Sequence, residues 1–189
     1  MVRPVVLGLP RGGVVVAAAV ADRMRAPLDV LVVRKLGVPW QPELGMGAIA
    51  EGGVVVLNSS IIEQAHVTPE QIDQVRRDEE IELERRATAY REGRARLDLS
   101  GATAVIVDDG LATGYTARAA VESAEGAGAK RALVAVPVGA AETVREMRSD
   151  GLEVICLHVP DWFLAVGEWY DHFGQTSDRE VIAILGQVG

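Results

Sequence analysis

The chain of 189 residues contains a single cysteine, Cys156, so an intrachain disulfide is excluded. Cys156 lies in an apolar run, and we interpret it as a small core residue rather than a reactive thiol. No apolar run approaches the roughly 20 residues that a membrane-spanning helix needs. The N-terminus also lacks the basic and apolar pattern of a secretory signal. These absences predict a cytoplasmic protein that makes no contact with membranes.

Lysine is nearly absent as well, since only Lys35 and Lys130 occur and the remaining cations are arginines. The formal net charge of −8 argues against the broad basic surface with which proteins bind nucleic acids. An anionic ligand would therefore be held by a few local cations. This scarcity makes Lys35, which follows Arg34 directly, the most informative lysine.

The three histidines, His66, His158 and His172, have no spacing typical of a zinc site or a catalytic triad. The sequence also has no Walker lysine and no nucleophile elbow. The absence of these patterns excludes the most easily recognised classes of nucleotide hydrolase, metalloenzyme and serine hydrolase.

Short apolar runs alternate with segments of helical length along the chain. The first predicted strand ends at Gly8, and the others cover residues 28–33, 102–107, 133–136 and 154–159. The predicted helices cover residues 14–24, 68–90, 116–127 and 141–149, and a last one begins at Ser177. Strands that are apolar on both faces and alternate with helices predict an α/β fold with a doubly wound, mainly parallel sheet. The length fits a single domain, residues 1–189.

Two regions depart from this alternation. Residues 36–57 are rich in glycine and proline and indicate a mobile loop with a small hairpin, which is either a lid or a plain surface excursion. Thr68 and Gln71 form a capping-box pattern that begins a highly charged helix, either a solvated face or an oligomer contact.

Five of the eight aromatic residues, which are three Trp, three Tyr and two Phe, lie within residues 162–173.

The most specific motif spans residues 105–116, where an apolar strand is followed by Asp108 and Asp109 and then by small and hydroxylated residues. In a parallel sheet, ligands bind beyond the carboxyl ends of the strands. Backbone N–H groups at the start of the following helix favour a phosphate group. The two carboxylates repel phosphate, but they accept hydrogen bonds from sugar hydroxyls. The motif therefore predicts a sugar phosphate site.

This motif resembles the 5-phosphoribosyl-1-diphosphate (PRPP) site of type I phosphoribosyltransferases, and the chain is most similar to uncharacterised bacterial members of that family. The resemblance implies that Asp108 and Asp109 hold the ribose hydroxyls and also bind Mg²⁺ indirectly, through those hydroxyls or water. It implies that the 5′-phosphate is wrapped by Gly110, Ala112, Thr113, Gly114, Tyr115 and Thr116. Many relatives have glycine where this chain has Tyr115. Because the loop binds phosphate through backbone N–H groups, it tolerates a side chain that points outward at this position.

Two further stretches fit the same family. Residues 8–13 resemble its pyrophosphate loop, in which Gly12 and Gly13 allow unusual backbone angles and Arg11 meets the diphosphate. Arg34 and Lys35, at the predicted end of the second strand, are placed where relatives carry basic residues for the same diphosphate. The resemblance thus implies a flexible loop and helical insertion over residues 36–100, and a small C-terminal hood over residues 160–189.

The hood selects the acceptor in this family. Residues 159–163 resemble the hood entry of hypoxanthine-guanine enzymes, which makes Phe163 the candidate for stacking on a base; the alternative is that the aromatic residues only close the core. Those enzymes also have a third acid where this chain has Ala112, and a lysine where it has residues 136–138. The acceptor is therefore open. Glu51 and Asp161 are either acids that handle the base or structural and exposed residues.

The resemblance implies a Mg²⁺-dependent enzyme, commonly a homodimer, that transfers the 5-phosphoribosyl group from PRPP to a nitrogenous acceptor and releases diphosphate. Asp108, Asp109, Arg11 and Lys35 would carry the reaction. One alternative is a regulator that senses PRPP or nucleotides without turnover, because a fold does not fix a function. Another is a hydrolase that uses water at the same site.

Overall fold

The computed structural model describes residues 3–187, which form a parallel five-stranded sheet with helices on both faces. The strands of this main sheet are β1 (Pro4–Gly8), β2 (Leu28–Val30), β6 (Thr103–Val107), β7 (Arg131–Val138) and β8 (Glu153–His158). They lie in the order β2-β1-β6-β7-β8, and every neighbouring pair is parallel. All five carboxyl ends therefore meet at one edge, as the sequence predicted.

Six α-helices and one short 3₁₀ helix, Val166–Trp169, accompany the sheets in the described part of the chain. The α-helices are, in chain order, α1 (Gly12–Met24), α2 (Ser59–Gln64), α3 (Pro69–Arg91), α4 (Tyr115–Gly126), α5 (Ala141–Ser149) and α6 (Asp178–Gln187). The capping box that begins α3 is present, with Gln71 N–H donating to Thr68 Oγ1 and Thr68 N–H donating to the Gln71 side chain. Asn58 caps the short helix α2, which the sequence analysis did not predict.

The hydrophobic core lies on both faces of the main sheet. One face packs Val6, Val105 and Leu133 with residues of α1, α3 and α6, whereas the other packs Ile106 and Val134 with residues of α4 and α5. Each central strand thus buries both of its faces, which is why these strands are continuously apolar in sequence. The predicted α/β fold with a doubly wound, mainly parallel sheet is confirmed.

Residues 33–57 form a second sheet rather than a loop with a small hairpin. Its strands β3 (Val33–Val38), β4 (Gln41–Ala50) and β5 (Val54–Leu57) are antiparallel. The Ala48 and Ala50 side chains of β4 pack against Ala119 of α4 and are completely buried or nearly so. Small alanine side chains thus make the contact of this sheet with α4, in a segment whose glycines suggested a loop.

The predicted strand at residues 28–33 is also corrected. β2 ends at Val30, and the chain then passes into β3, so Arg34 and Lys35 lie inside the antiparallel sheet and not at the end of a parallel strand. Between residues 3 and 187, none of the helices is both long and apolar enough to cross a membrane.

Candidate active site at the carboxyl edge of the sheet

The acid pair Asp108 and Asp109 follows β6, the central strand of the main sheet. The backbone N–H of Asp109 donates to Asp108 Oδ1 at 2.9 Å, which fixes the Asp108 carboxyl group relative to the Asp109 backbone. The neighbouring strand β1 is followed by a loop that carries Arg11 and leads into Gly12, the first residue of α1. Adjacent parallel strands thus bring two motifs together that are about a hundred residues apart in sequence.

Gly12 and Gly13 lie directly against the acid pair. A Cβ atom on Gly12 would come within 2.0 Å of Asp109 Oδ2, and one on Gly13 within 2.8 Å of the Asp108 Cα atom. The glycines are therefore required by close approach of the backbone to the carboxylates. The peptide bond between Pro10 and Arg11 is cis.

The protein environment disfavours the charged forms of both acids. Burial raises the pKa of Asp108 well above its ordinary value, and the Asp109 charge raises it further. Burial likewise raises the pKa of Asp109. The positive charge of Lys35 opposes both changes. A ligand that donates hydroxyl hydrogens, or that brings positive charge, would relieve this unfavourable arrangement.

The segment after the acid pair is held firmly at its base and leaves its amides free. The Leu111 N–H donates to the Val138 carbonyl at the end of β7, and the Leu111 carbonyl accepts from the Ala140 N–H, each at 2.9 Å. The Thr143 hydroxyl donates to the Ala112 carbonyl. Within residues 3–187, the N–H groups of residues 112–116 donate no hydrogen bond. They lead into the amino end of α4, where unpaired amides and the helix dipole favour an anion.

Residues 112–116 form the predicted phosphate-binding segment, which we call the phosphate loop. Gly114 is required in this loop for two reasons. It caps α4 with φ = +79°, a left-handed conformation that favours glycine. A Cβ atom there would also come within 2.9 Å of Thr143 Cγ2. The Tyr115 side chain is partly buried and packs against the cluster of Ala48, Ala50 and Ala119.

A cavity of about 330 Å³, which we call the cation cavity, opens between the acid pair, the phosphate loop and β3. Its cationic lining consists of Arg34, Lys35 and Arg86. Arg34 forms an ion pair with Glu79 of α3, with Nε and Oε2 2.7 Å apart. The rest of its lining comprises Pro10, Val33, Asp108, Asp109, Gly110, Ala112, Thr113, Gly114, Thr116 and Val166.

A second cavity of about 290 Å³, the tail cavity, lies on the other side of Asp109. It is bounded by the start of α1 and by the tail segment, which we define as residues 159–176. Its lining consists of Arg11, Gly12, Val15, Val16, Asp109, Tyr170, His172, Phe173, Gly174, Gln175 and Thr176. Asp109 is the residue that the two cavities share, so a ligand centred on the acid pair would reach both.

The tail segment contacts the acid pair directly. The Tyr170 hydroxyl donates to the Asp109 carbonyl at 2.5 Å, and Val166 packs so closely on Gly110 that a Cβ atom there would lie 2.6 Å from its methyl groups. Burial raises the pKa of Tyr170 to about 12, so its hydroxyl stays protonated at neutral pH. The tail segment thus covers the carboxyl edge of the sheet.

The structure brings together most of the residues that the sequence selected, although in two cavities. Arg34 and Lys35 border the cation cavity, whereas Arg11 borders the tail cavity. Phe163 is half-buried and lines neither of them. Glu51 is buried, and its Oε2 atom lies 2.9 Å from Nη1 of Arg91, which supports the interpretation of Glu51 as a structural residue. Asp161 is exposed.

The lining residues that the sequence analysis did not select include Arg86, Val166 and Tyr170. Arg86 lies in a helix with charges on most faces, and nothing in its spacing separates it from its neighbours. Tyr170 stood out only as a member of the aromatic cluster. Its position became evident once the tail segment was seen to cover the acid pair.

Comparison with known proteins gives a consistent result. The phosphoribosyl transferase domain family matches residues 47–172. The chain is 54% identical over 181 residues to proteins of two Mycobacterium tuberculosis strains, both named "Putative phosphoribosyl transferase". These matches cover 96% of the chain, which spans only 41% of the length of those relatives.

Among solved structures, the protein TT1426 from Thermus thermophilus is 41% identical and superposes with a TM-score of 0.81. The match covers 98% of this chain and 88% of the Thermus chain. The family match extends over the phosphate loop, the acid pair and much of the tail segment, and it agrees with the resemblance seen in sequence. The chain belongs to the phosphoribosyltransferase family.

Proposed function

We propose that the protein transfers the 5-phosphoribosyl group of PRPP to a nitrogenous acceptor and releases diphosphate. The observation that carries this proposal is the acid pair itself, which is placed between a loop of free amides and a group of cations. The amides of residues 112–116 would bind the 5′-phosphate. Asp108 and Asp109 would accept hydrogen bonds from the ribose hydroxyls and so orient the sugar between the two cavities.

The reaction breaks the bond between C1′ and the diphosphate oxygen, and the electron pair leaves with diphosphate. Positive charge develops on the sugar, and the acceptor nitrogen forms the new bond and loses a proton. Lys35 and Arg11 would stabilise the negative charge on diphosphate from the two sides of Asp109. The tail segment would exclude water, which otherwise competes as the acceptor.

The residues present fit a Mg²⁺ ion that arrives with the substrate. In the described part of the chain, no group of three or more His, Cys, Asp or Glu residues is arranged as a metal site. Magnesium is commonly bound by one or two carboxylates together with substrate phosphates, which matches an acid pair beside a diphosphate. Bound there, it would neutralise part of the diphosphate charge. Asp108 and Asp109 would hold it through water or through the ribose hydroxyls.

Calorimetric titration with PRPP, with and without Mg²⁺, tests the proposal. We expect saturable, Mg²⁺-dependent binding that is lost in the double variant Asp108→Asn/Asp109→Asn, and diphosphate release when the correct base is added. Unchanged affinity in the double variant would refute the assignment of the acid pair. Binding with no release for any base would favour the sensing alternative, and release with water alone the hydrolase.

A further inference from the structure

Asp178 connects three parts of the chain that are distant in sequence. It is the first residue of α6, and its Oδ1 atom accepts a hydrogen bond of 2.8 Å from the Tyr90 hydroxyl of α3. The same oxygen lies 3.9 Å from Nη1 of Arg11, in the loop after β1. A carboxylate at the end of the described chain is thus placed beside the loop that contacts the acid pair.

The position of the Asp178 carboxylate is well determined. Tyr90 is completely buried, so its hydroxyl is directed by the packing of α3 against the core. Burial, together with the hydrogen bond to Asp178, raises the pKa of Tyr90 to about 12, which keeps the hydroxyl a donor at neutral pH. Asp178 also lies in the first turn of α6, where the helix dipole favours a negative charge.

Arg11 needs such an anchor because little else holds its side chain. The side chain is 34% exposed, and Asp178 is its one salt-bridge partner among residues 3–187. The next residue, Gly12, is fixed by its contact with Asp109. An ion pair through one guanidinium nitrogen leaves the other N–H groups of Arg11, which lines the tail cavity, available to a ligand.

We propose that Asp178, oriented by Tyr90, is a positioning residue that holds the Arg11 guanidinium at the tail cavity, ready to bind the diphosphate of PRPP. This inference rests on the proposed function. It assigns a role at the site to α6, and a second one to α3, which already contributes Arg86 to the cation cavity. Preorganising a long, mobile side chain lowers the entropy lost when a ligand binds.

A double-mutant cycle measured by calorimetry tests the coupling between Asp178 and Arg11. The variants are Asp178→Asn, which removes the charge but keeps an oxygen acceptor for Tyr90, Arg11→Ala, and the combination of the two. The ligands are Mg²⁺-diphosphate and PRPP. Asp73→Asn, which removes an equal charge from an exposed pair with Arg76 on α3, is the control. Thermal melting verifies that each variant is folded.

We expect Asp178→Asn to weaken diphosphate binding about fivefold when Arg11 is present, and by less than about twofold in the Arg11→Ala background. Tyr90→Phe should weaken it about threefold and have no further effect when combined with Asp178→Asn. If Asp178→Asn weakens diphosphate binding equally with Arg11 and with Arg11→Ala, the effect is one of general charge. If Asp178→Asn tightens diphosphate binding, Asp178 competes with diphosphate for Arg11. Either result overturns the proposal.

Ribose 5-phosphate distinguishes this inference from the proposed function, because its binding would depend on the phosphate loop and the acid pair. We expect Asp178→Asn to leave ribose 5-phosphate affinity unchanged. Normal binding of ribose 5-phosphate and PRPP without coupling between Asp178 and Arg11 would remove only the role of Asp178. A wild-type protein that binds none of these ligands would refute both the proposed function and the positioning role.

Discussion

Gly12 lies so close to Asp109 that a methyl group on its Cα atom would come within 2.0 Å of the Oδ2 atom. This contact joins the loop after β1 to the acid pair after β6. We predict that Gly12→Ala displaces the Asp109 carboxylate and weakens PRPP binding by about a hundredfold, which calorimetry measures. Gly126→Ala, at the end of α4 with open space around it, should leave the affinity unchanged. Equal affinities for both variants would contradict this assignment.

Asp108→Asn should stabilise the protein while it abolishes PRPP binding. Because the pKa of Asp108 is raised in the folded state, the folded protein holds a proton that the unfolded chain releases, so stability falls as the pH rises above the ordinary carboxyl range. We expect the variant to melt about 2 to 4 °C higher at pH 7, which corresponds to about 1 kcal/mol in a domain of this size. The difference from wild type should shrink as the pH is lowered toward 4. A constant difference across this pH range would contradict the explanation.

Lys35→Ala should weaken PRPP binding about tenfold, because the variant loses one charge-assisted contact to a phosphate group. Lys130, the other lysine of the chain, supplies the matched control, since it borders neither the cation cavity nor the tail cavity. Lys130→Ala should bind PRPP as the wild type does. If both lysine variants lose affinity equally, the effect belongs to net charge and not to the cation cavity.

Glu79→Gln should strengthen PRPP binding about threefold. Glu79 neutralises Arg34 across 2.7 Å, so its removal releases a cation that already borders the cation cavity. The gain should decrease at high ionic strength, which screens partly exposed charges. Weaker binding by Glu79→Gln would show that the ion pair is needed to hold Arg34 in place. Calorimetry at two salt concentrations decides between these outcomes.

Arg91→Ala should be strongly destabilising, by about 3 to 5 kcal/mol, because it removes the ion-pair partner of the buried Asp29 carboxylate. It also leaves the buried Glu51 carboxylate with only the longer contact to Arg96, at 3.9 Å. The Arg91 guanidinium also donates to the Val30 carbonyl and so joins α3 to the end of β2. On the same helix, Arg85 pairs with Glu82 while 56% exposed, and Arg85→Ala should change the free energy of unfolding far less, because exposed ion pairs contribute little to stability. Denaturant unfolding of the two variants measures the contrast; similar free energies would contradict it.

The fold could be predicted because its central strands are buried on both faces and its helices carry local signals. Thr68 and Gln71, for example, begin α3 through a capping box that depends on neighbouring residues alone. The small sheet of β3, β4 and β5 was predicted wrongly as a loop and hairpin. Its strands are stabilised by packing on α4, a contact that the local sequence does not encode.

The sequence by itself determined the family, the parallel sheet and the acid pair next to the phosphate loop, since these depend on contiguous residues whose chemistry and spacing can be read directly. Only the tertiary structure decided that Arg11 and Lys35 border different cavities, that Arg86 joins one of them, and that Asp178 reaches Arg11. These relationships arise where distant segments pack together. Their geometry depends on the whole core, and no local pattern specifies it.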